Sequence, residues 1–226
     1  MQSRPSFFSS TVGSKILIGL TGLLLFGFLI AHLAGNLSLL AGADAFNLYA
    51  YKLESLGVLV YLAEAGLVAL FLLHIVKTLA TYRRNSAARP ARYQEKKWAG
   101  HTSRKTWSST TMALTGLFIL FFVVVHVRTF KFGPWYVEQA TGHRDLFRLV
   151  AEIYSNPLYA GFYVIAMGLI GMHLSHGISS AAQSLGLSNQ RIARNLVLGG
   201  RVLAVLIAGG FAILPLYMYF AHQVAQ

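Results

Sequence analysis

The sequence predicts an all-α integral membrane protein: one domain, residues 1–226, folded as a bundle of five transmembrane helices. Three observations lead there. Hydrophobic residues make up 55% of the 226 positions, only 12% are charged, and the mean hydropathy is +0.56; a soluble domain carries about 25% charged residues. Five apolar stretches are each long enough to cross roughly 30 Å of hydrocarbon, which takes about 20 helical residues. The basic residues behind the net charge of +12 gather at the ends of those stretches, as the positive-inside rule requires, so the charge reads as cytoplasmic flanks and not as a nucleic-acid surface. The chain has no cysteine, which excludes disulfides, iron–sulfur ligation by this chain and covalent c-type haem.

The spans fall at about 14–40, 56–82, 107–130, 156–183 and 197–222. Met1 to Thr11 holds one arginine and no small-residue cleavage site, and the apolar run that follows exceeds a signal h-region, so it reads as an uncleaved first span. That span ends near Leu39-Leu40, where Ala41-Gly42-Ala43-Asp44 marks a turn. A short connection with Phe46, Tyr49 and Tyr51 has the composition of an interfacial belt. The second span stops at Arg83-Arg84. The loop Arg83–Lys105 carries eight Lys/Arg against one acid, Glu95, and is cytoplasmic. Residues 131–155 mix charges, with Glu138, Asp145 and Glu152 beside Lys131, Arg144 and Arg148, as on the outer side. Asn156-Pro157 opens the fourth span as cap and first helical residue. Pro215 is placed to bend the fifth. The N-terminus is therefore expected in the cytoplasm and the C-terminus outside.

One motif occurs twice. Residues 21–32 and 115–126 both open on Thr-Gly and close on a histidine eleven positions after the threonine. At about 100° per residue, threonine and histidine share one helix face. Spans two and four, which run the opposite way, carry His74 and His173. His32 lies 17 residues beyond Lys15, and His126 lies 21 beyond Lys105, placing both roughly 25–31 Å from the inner surface. His74, nine residues before Arg83, lies only about 13 Å from it, and His173 is at similar depth. Imidazoles in hydrocarbon need a partner, a cavity or a metal. Two pairs, one per leaflet and each from parallel helices, suit two bis-histidine haems, because paired imidazoles close both axial positions and favour electron transfer.

The glycines fit the same reading. Gly35, Asn36 and Gly177 share a face with their histidines, where a missing side chain admits a flat macrocycle. Gly22 and Gly116 lie at inner-haem depth, serving either haem clearance or close helix packing. His176 is a rival ligand to His173, with His173 preferred. Lys15, Lys77, Arg83, Arg104 and Lys105 are candidate propionate partners or ordinary interfacial charges. His101, His143 and His222 are not at ligand depth.

These motifs, together with His32-Leu33-Ala34-Gly35-Asn36, Phe46-Asn47-Leu48-Tyr49-Ala50, Ala88-Arg89-Pro90-Ala91-Arg92-Tyr93 and His173-x3-Gly177, resemble the dihaem cytochrome b membrane anchors of succinate dehydrogenases and fumarate reductases, in their five-helix, single-subunit form. The likeness covers about residues 12–222. It implies that His74 and His173 bind the inner (proximal) haem b and His32 and His126 the outer (distal) one. It also implies a flavoprotein subunit and an iron–sulfur subunit on the cytoplasmic face, a membrane quinone (menaquinone) as substrate, and residence in the bacterial inner membrane amid lipid. Relatives handle the quinol proton with an acid early in the second helix, here Glu64 or, just before it, Glu54. Where some relatives carry a glutamate as a proton path, this chain has Gly171.

Two other readings compete. A dihaem cytochrome b anchoring a hydrogenase, formate dehydrogenase or nitrate reductase shares the bis-histidine logic. A haem-free transporter using the histidines as a relay calls for midplane helix breaks and several intramembrane acids; Pro215 and Glu64 are the residues of that kind here. Whether succinate is oxidised or fumarate reduced depends on potentials and soluble partners, not on these residues.

Overall fold

A computed structural model describes residues 7, 10–88, 107–189 and 191–224. Among these the chain forms seven α-helices: α1 (Thr11–Asn36), α2 (Ala43–Glu54), α3 (Val58–Ala87), α4 (Trp107–Phe130), α5 (Leu146–Ser155), α6 (Pro157–Ser184) and α7 (Ala193–Val224). A 3-10 turn, Leu37–Ala41, extends α1. Five segments are long and apolar enough to cross a membrane: Thr11–Ala41, Val58–Ala87, Thr111–Phe130, Pro157–Ser184 and Ala193–Ala221. These are the five expected spans. Several run further than anticipated: α1 starts at Thr11, where Ser10 caps it by accepting from the Gly13 amide, and α3 continues past Arg83-Arg84 to Ala87. Basic residues mark where a span leaves hydrocarbon, not where its backbone stops being helical. Glu95, His101, Arg104, Lys105 and residues 89–93 of the arginine-rich motif lie outside the described residues, as does the side chain of His222.

Each of the two stretches read as connections contains a short helix. α5 presents Leu149, Val150 and Tyr154 inward, an i, i+1, i+5 stripe that docks it on the bundle, and Asp145 caps it through the Arg148 amide. α2 buries Phe46, Asn47 and Ala50. Asn47 ties the two together: its side-chain amide donates to Asp145 Oδ1 at 3.0 Å and its carbonyl accepts from the Phe147 amide at 2.9 Å. α2 and α5 therefore form a cap over one end of the bundle. Gly57, at φ 58, makes the turn from α2 into α3.

α6 is the central helix and packs on α7, α4, α1 and α5, while α3 packs on α1 and α4 on α6. Small residues allow the closest approach: a Cβ on Gly171 would stand 2.9 Å from the Ala208 Cβ on α7. The core gathers toward the α2–α5 end, around Leu39, Phe46, Phe122, Tyr154, Tyr163, Met167 and Leu214. At the opposite end, Arg84 of α3 donates to the buried Ser14 hydroxyl of α1 at 2.8 Å.

Candidate paired-histidine sites

The first site lies toward the α2–α5 end. His32 on α1 and His126 on α4 face each other with ring centroids 5.8 Å apart and planes at 88°. An aromatic shell surrounds them: Phe28 and Phe211 lie 5.2 and 5.6 Å from His32, and Phe122 and Phe130 lie 5.6 and 5.4 Å from His126. Polar partners are few and distant. Asn36 Nδ2 is 3.4 Å from His32 Nδ1, and the Tyr163 hydroxyl is 3.5 Å from His126 Nδ1. Tyr163, almost fully buried, escaped the sequence reading, because α6 meets His126 in space and not in sequence.

The second site lies toward the Arg84 end. It holds His74 on α3 and His173 on α6. Each is held by the threonine of a repeat: Thr21 Oγ1 is 3.0 Å from His74 Nδ1, and Thr115 Oγ1 is 3.2 Å from His173 Nδ1. Both threonines are buried. The adjacent glycines complete the fit, since a Cβ on Gly22 would stand 3.3 Å from His74 Cε1 and one on Gly116 would stand 3.5 Å from His173 Cε1. Thus Gly22 and Gly116 clear the imidazoles, a role neither of the two anticipated uses named. Each repeat serves both sites, contributing its histidine to the first and its Thr-Gly to the second.

Other anticipated roles divide. Gly35 makes room for the Tyr49 hydroxyl pressed against it from α2, so it does not open the backbone to a flat ligand. Gly177 has no such neighbour; a Cβ there would meet nothing within 4 Å. Asn36 donates to the His32 carbonyl at 2.8 Å. His176 lies one turn past His173, and its carbonyl accepts from the Ser179 hydroxyl. Lys15 lines a pocket of about 380 Å³ with Ile18, Ser180, Gln183 and Ser184; Arg83 is exposed.

The two acids separate. Glu64 on α3 pairs with Lys131, which follows α4. Glu54, at the end of α2, lines a pocket of about 280 Å³ with Tyr51, Ser55, Trp135, Gly142, His143 and Arg144. There Tyr51 and His143 stack at 3.7 Å, and Arg144 lies over Trp135 at 4.6 Å and 3.8 Å from Glu54. Burial pulls the Arg144 guanidinium below its ordinary value, with Glu54 opposing.

Two imidazoles are the donor set that fills the axial positions of haem iron, whereas a structural zinc takes four ligands. Among the described residues, no three His, Cys, Asp or Glu side chains gather to hold a bare metal ion. The donor chemistry of both pairs therefore fits haem.

Fold and sites together define a polytopic α-helical membrane protein with one pair of facing histidines, His32 and His126, and two further histidines, His74 and His173, each held by a threonine on a neighbouring span. The chain is 30% identical over 178 residues to the succinate dehydrogenase cytochrome b558 subunit of Bacillus subtilis (strain 168), an alignment covering 76% of this chain and 80% of that one. It belongs to the family of succinate dehydrogenase cytochrome b membrane subunits, and is a multi-pass protein of the bacterial inner membrane. No family model and no solved structure matches it.

Proposed function

We propose that this chain is the membrane-anchor cytochrome b subunit of a succinate:quinone oxidoreductase. His32 and His126 hold the outer b haem and His74 and His173 the inner one, so that electrons cross the bilayer between a cytoplasmic flavoprotein and iron–sulfur part and a membrane quinone. The observation that carries the reading is the pairing: two facing imidazoles toward one end and two threonine-held imidazoles toward the other, on a chain related to a succinate dehydrogenase cytochrome b. When bound, haem b would supply one-electron transfer, with each histidine pair as the residues that would hold it. The phenylalanines around His32 and His126 keep water from the outer pair, and the Lys15 pocket is a place for acidic side groups at the inner one.

The Arg84 end faces the cytoplasm in this account. Six of the seven acids lie toward the α2–α5 end, while Lys15, Arg83, Arg84, Arg191 and Arg194 lie at the other, in keeping with the positive-inside rule. The basic end receives the flavoprotein and iron–sulfur subunits. Quinone, of the menaquinone class, reacts near the outer pair, with Glu54 or Glu64 taking the quinol proton; Glu54 already lines a pocket that pairs stacked aromatic rings with a guanidinium.

Purification with native partners tests this. Succinate should reduce the haem bands of the complex and added quinone should reoxidise them. Glu54→Gln with Glu64→Gln should slow quinone turnover about a hundredfold or more, the order expected for loss of a positioned proton acceptor, with the haem spectrum intact. Wild-type turnover and pH profile in the double variant would remove the acids from the mechanism. Failure of flavoprotein and iron–sulfur subunits to co-purify, with no reduction by succinate, would overturn the reading itself.

A further inference from the structure

The Thr-Gly half of each repeat meets an imidazole in the same way at two independent places. Thr21 Oγ1 is 2.7 Å from the Leu17 carbonyl and 3.2 Å from the Ile18 carbonyl, as well as 3.0 Å from His74 Nδ1. Thr115 Oγ1 is 3.1 Å from the Thr111 carbonyl, 3.2 Å from the Met112 carbonyl and 3.2 Å from His173 Nδ1. A hydroxyl has one proton and a carbonyl has none to give. With the threonine proton given to the carbonyl of the preceding turn, the back-bond a mid-helix threonine commonly makes, the oxygen accepts from the histidine, whose proton then sits on Nδ1. Nε2 is left with its lone pair free. The neighbouring glycine lets the ring lie close to the helix, since a Cβ would crowd Cε1 at 3.3 Å on Gly22 and touch it at 3.5 Å on Gly116.

We propose that Thr21-Gly22 and Thr115-Gly116 are paired histidine sockets that set the tautomer and ring orientation of His74 and His173 and, by accepting from Nδ1–H, tune the electron donation of these two imidazoles to the inner haem. The proposal rests on the assignment of His74 and His173 as ligands. It makes both threonines positioning residues. A hydrogen-bonded Nδ1–H makes the imidazole a stronger donor and favours the oxidised iron. The outer histidines meet their partners at 3.4 and 3.5 Å and have no socket of this kind, so the two sites should respond separately.

Redox titration of the purified complex carrying Thr21→Val, Thr115→Val, Thr21→Ser or Thr115→Ser, with haem content measured alongside, provides the test. Each valine variant should raise the inner midpoint, by an amount on the order of tenfold in the oxidised-to-reduced ratio (about 59 mV for one electron), or lose the inner haem selectively. The outer midpoint should not move, and each serine variant should behave as wild type. Valine variants that keep two haems at unaltered midpoints would overturn the proposal, as would serine variants that fail like valine. A wild-type protein without haem would instead defeat the ligand assignment.

Discussion

His74 and Gly22 show how one residue's size sets another's function. Only 3.3 Å separates His74 Cε1 from where a Cβ on Gly22 would stand. Gly22→Val adds two methyls beyond that point and must push the ring away from Thr21. The expected result is selective loss of the inner haem, read as about half the wild-type haem per chain, with the outer haem's spectrum unchanged; retention of both haems would show that the ring has room to spare. The meeting of His32 and His126 was legible in the sequence because spacing, repetition and depth converge on it. The partners of the histidines were less so. Thr21 lies eleven residues from His32 on the same face, which tied it in sequence to the wrong histidine; only the packing of α3 on α1 brings it to His74. Tyr163 and Tyr49 reach His126 and Gly35 from other helices, and nothing in the local pattern announces such contacts.

At the scale of elements, the five spans were legible because about 20 apolar residues leave a helix as the only backbone that satisfies itself in lipid. α2 and α5 were not, being too short and too polar to register against them. The signals were present all the same: Asp145 before an apolar i, i+1, i+5 stripe in α5, and Asp44 and Lys52 at the dipole-favoured ends of α2. Asn47 holds this cap together while almost wholly buried. Asn47→Ala strands the Phe147 amide and should cost about 1–3 kcal/mol, seen as a lower thermal midpoint and faster amide exchange in α5. Alkali acts on a different buried group of the cap. Burial in α5 holds the Tyr154 hydroxyl well above its ordinary value of 10.0, so the folded state prefers the neutral phenol. No stability is lost below pH 10; as pH rises past the unfolded value, the unfolded chain ionises first and stability falls. Tyr154→Phe should flatten that alkaline decline, and an identical decline in the variant would place its cause elsewhere.

For the molecule as a whole, the distribution of charge sets the orientation. All acids among the described residues lie toward the α2–α5 end, and the Arg84 end is purely basic among them. Because the chain has no cysteine, single introduced thiols report sidedness without background. Asp44→Cys should react with an impermeant maleimide in intact cells or spheroplasts, and Arg191→Cys only after permeabilisation; the reverse pattern would invert the bundle and move the docking face outside. The central claim is that four histidines hold two haems in pairs, and haem per polypeptide measures it most directly. Wild type should bind two. His32→Leu and His126→Leu should each leave one haem with the same spectrum, and His74→Leu and His173→Leu should each leave the other. A wild-type content of one or none, or any of these variants still binding two, would contradict the account.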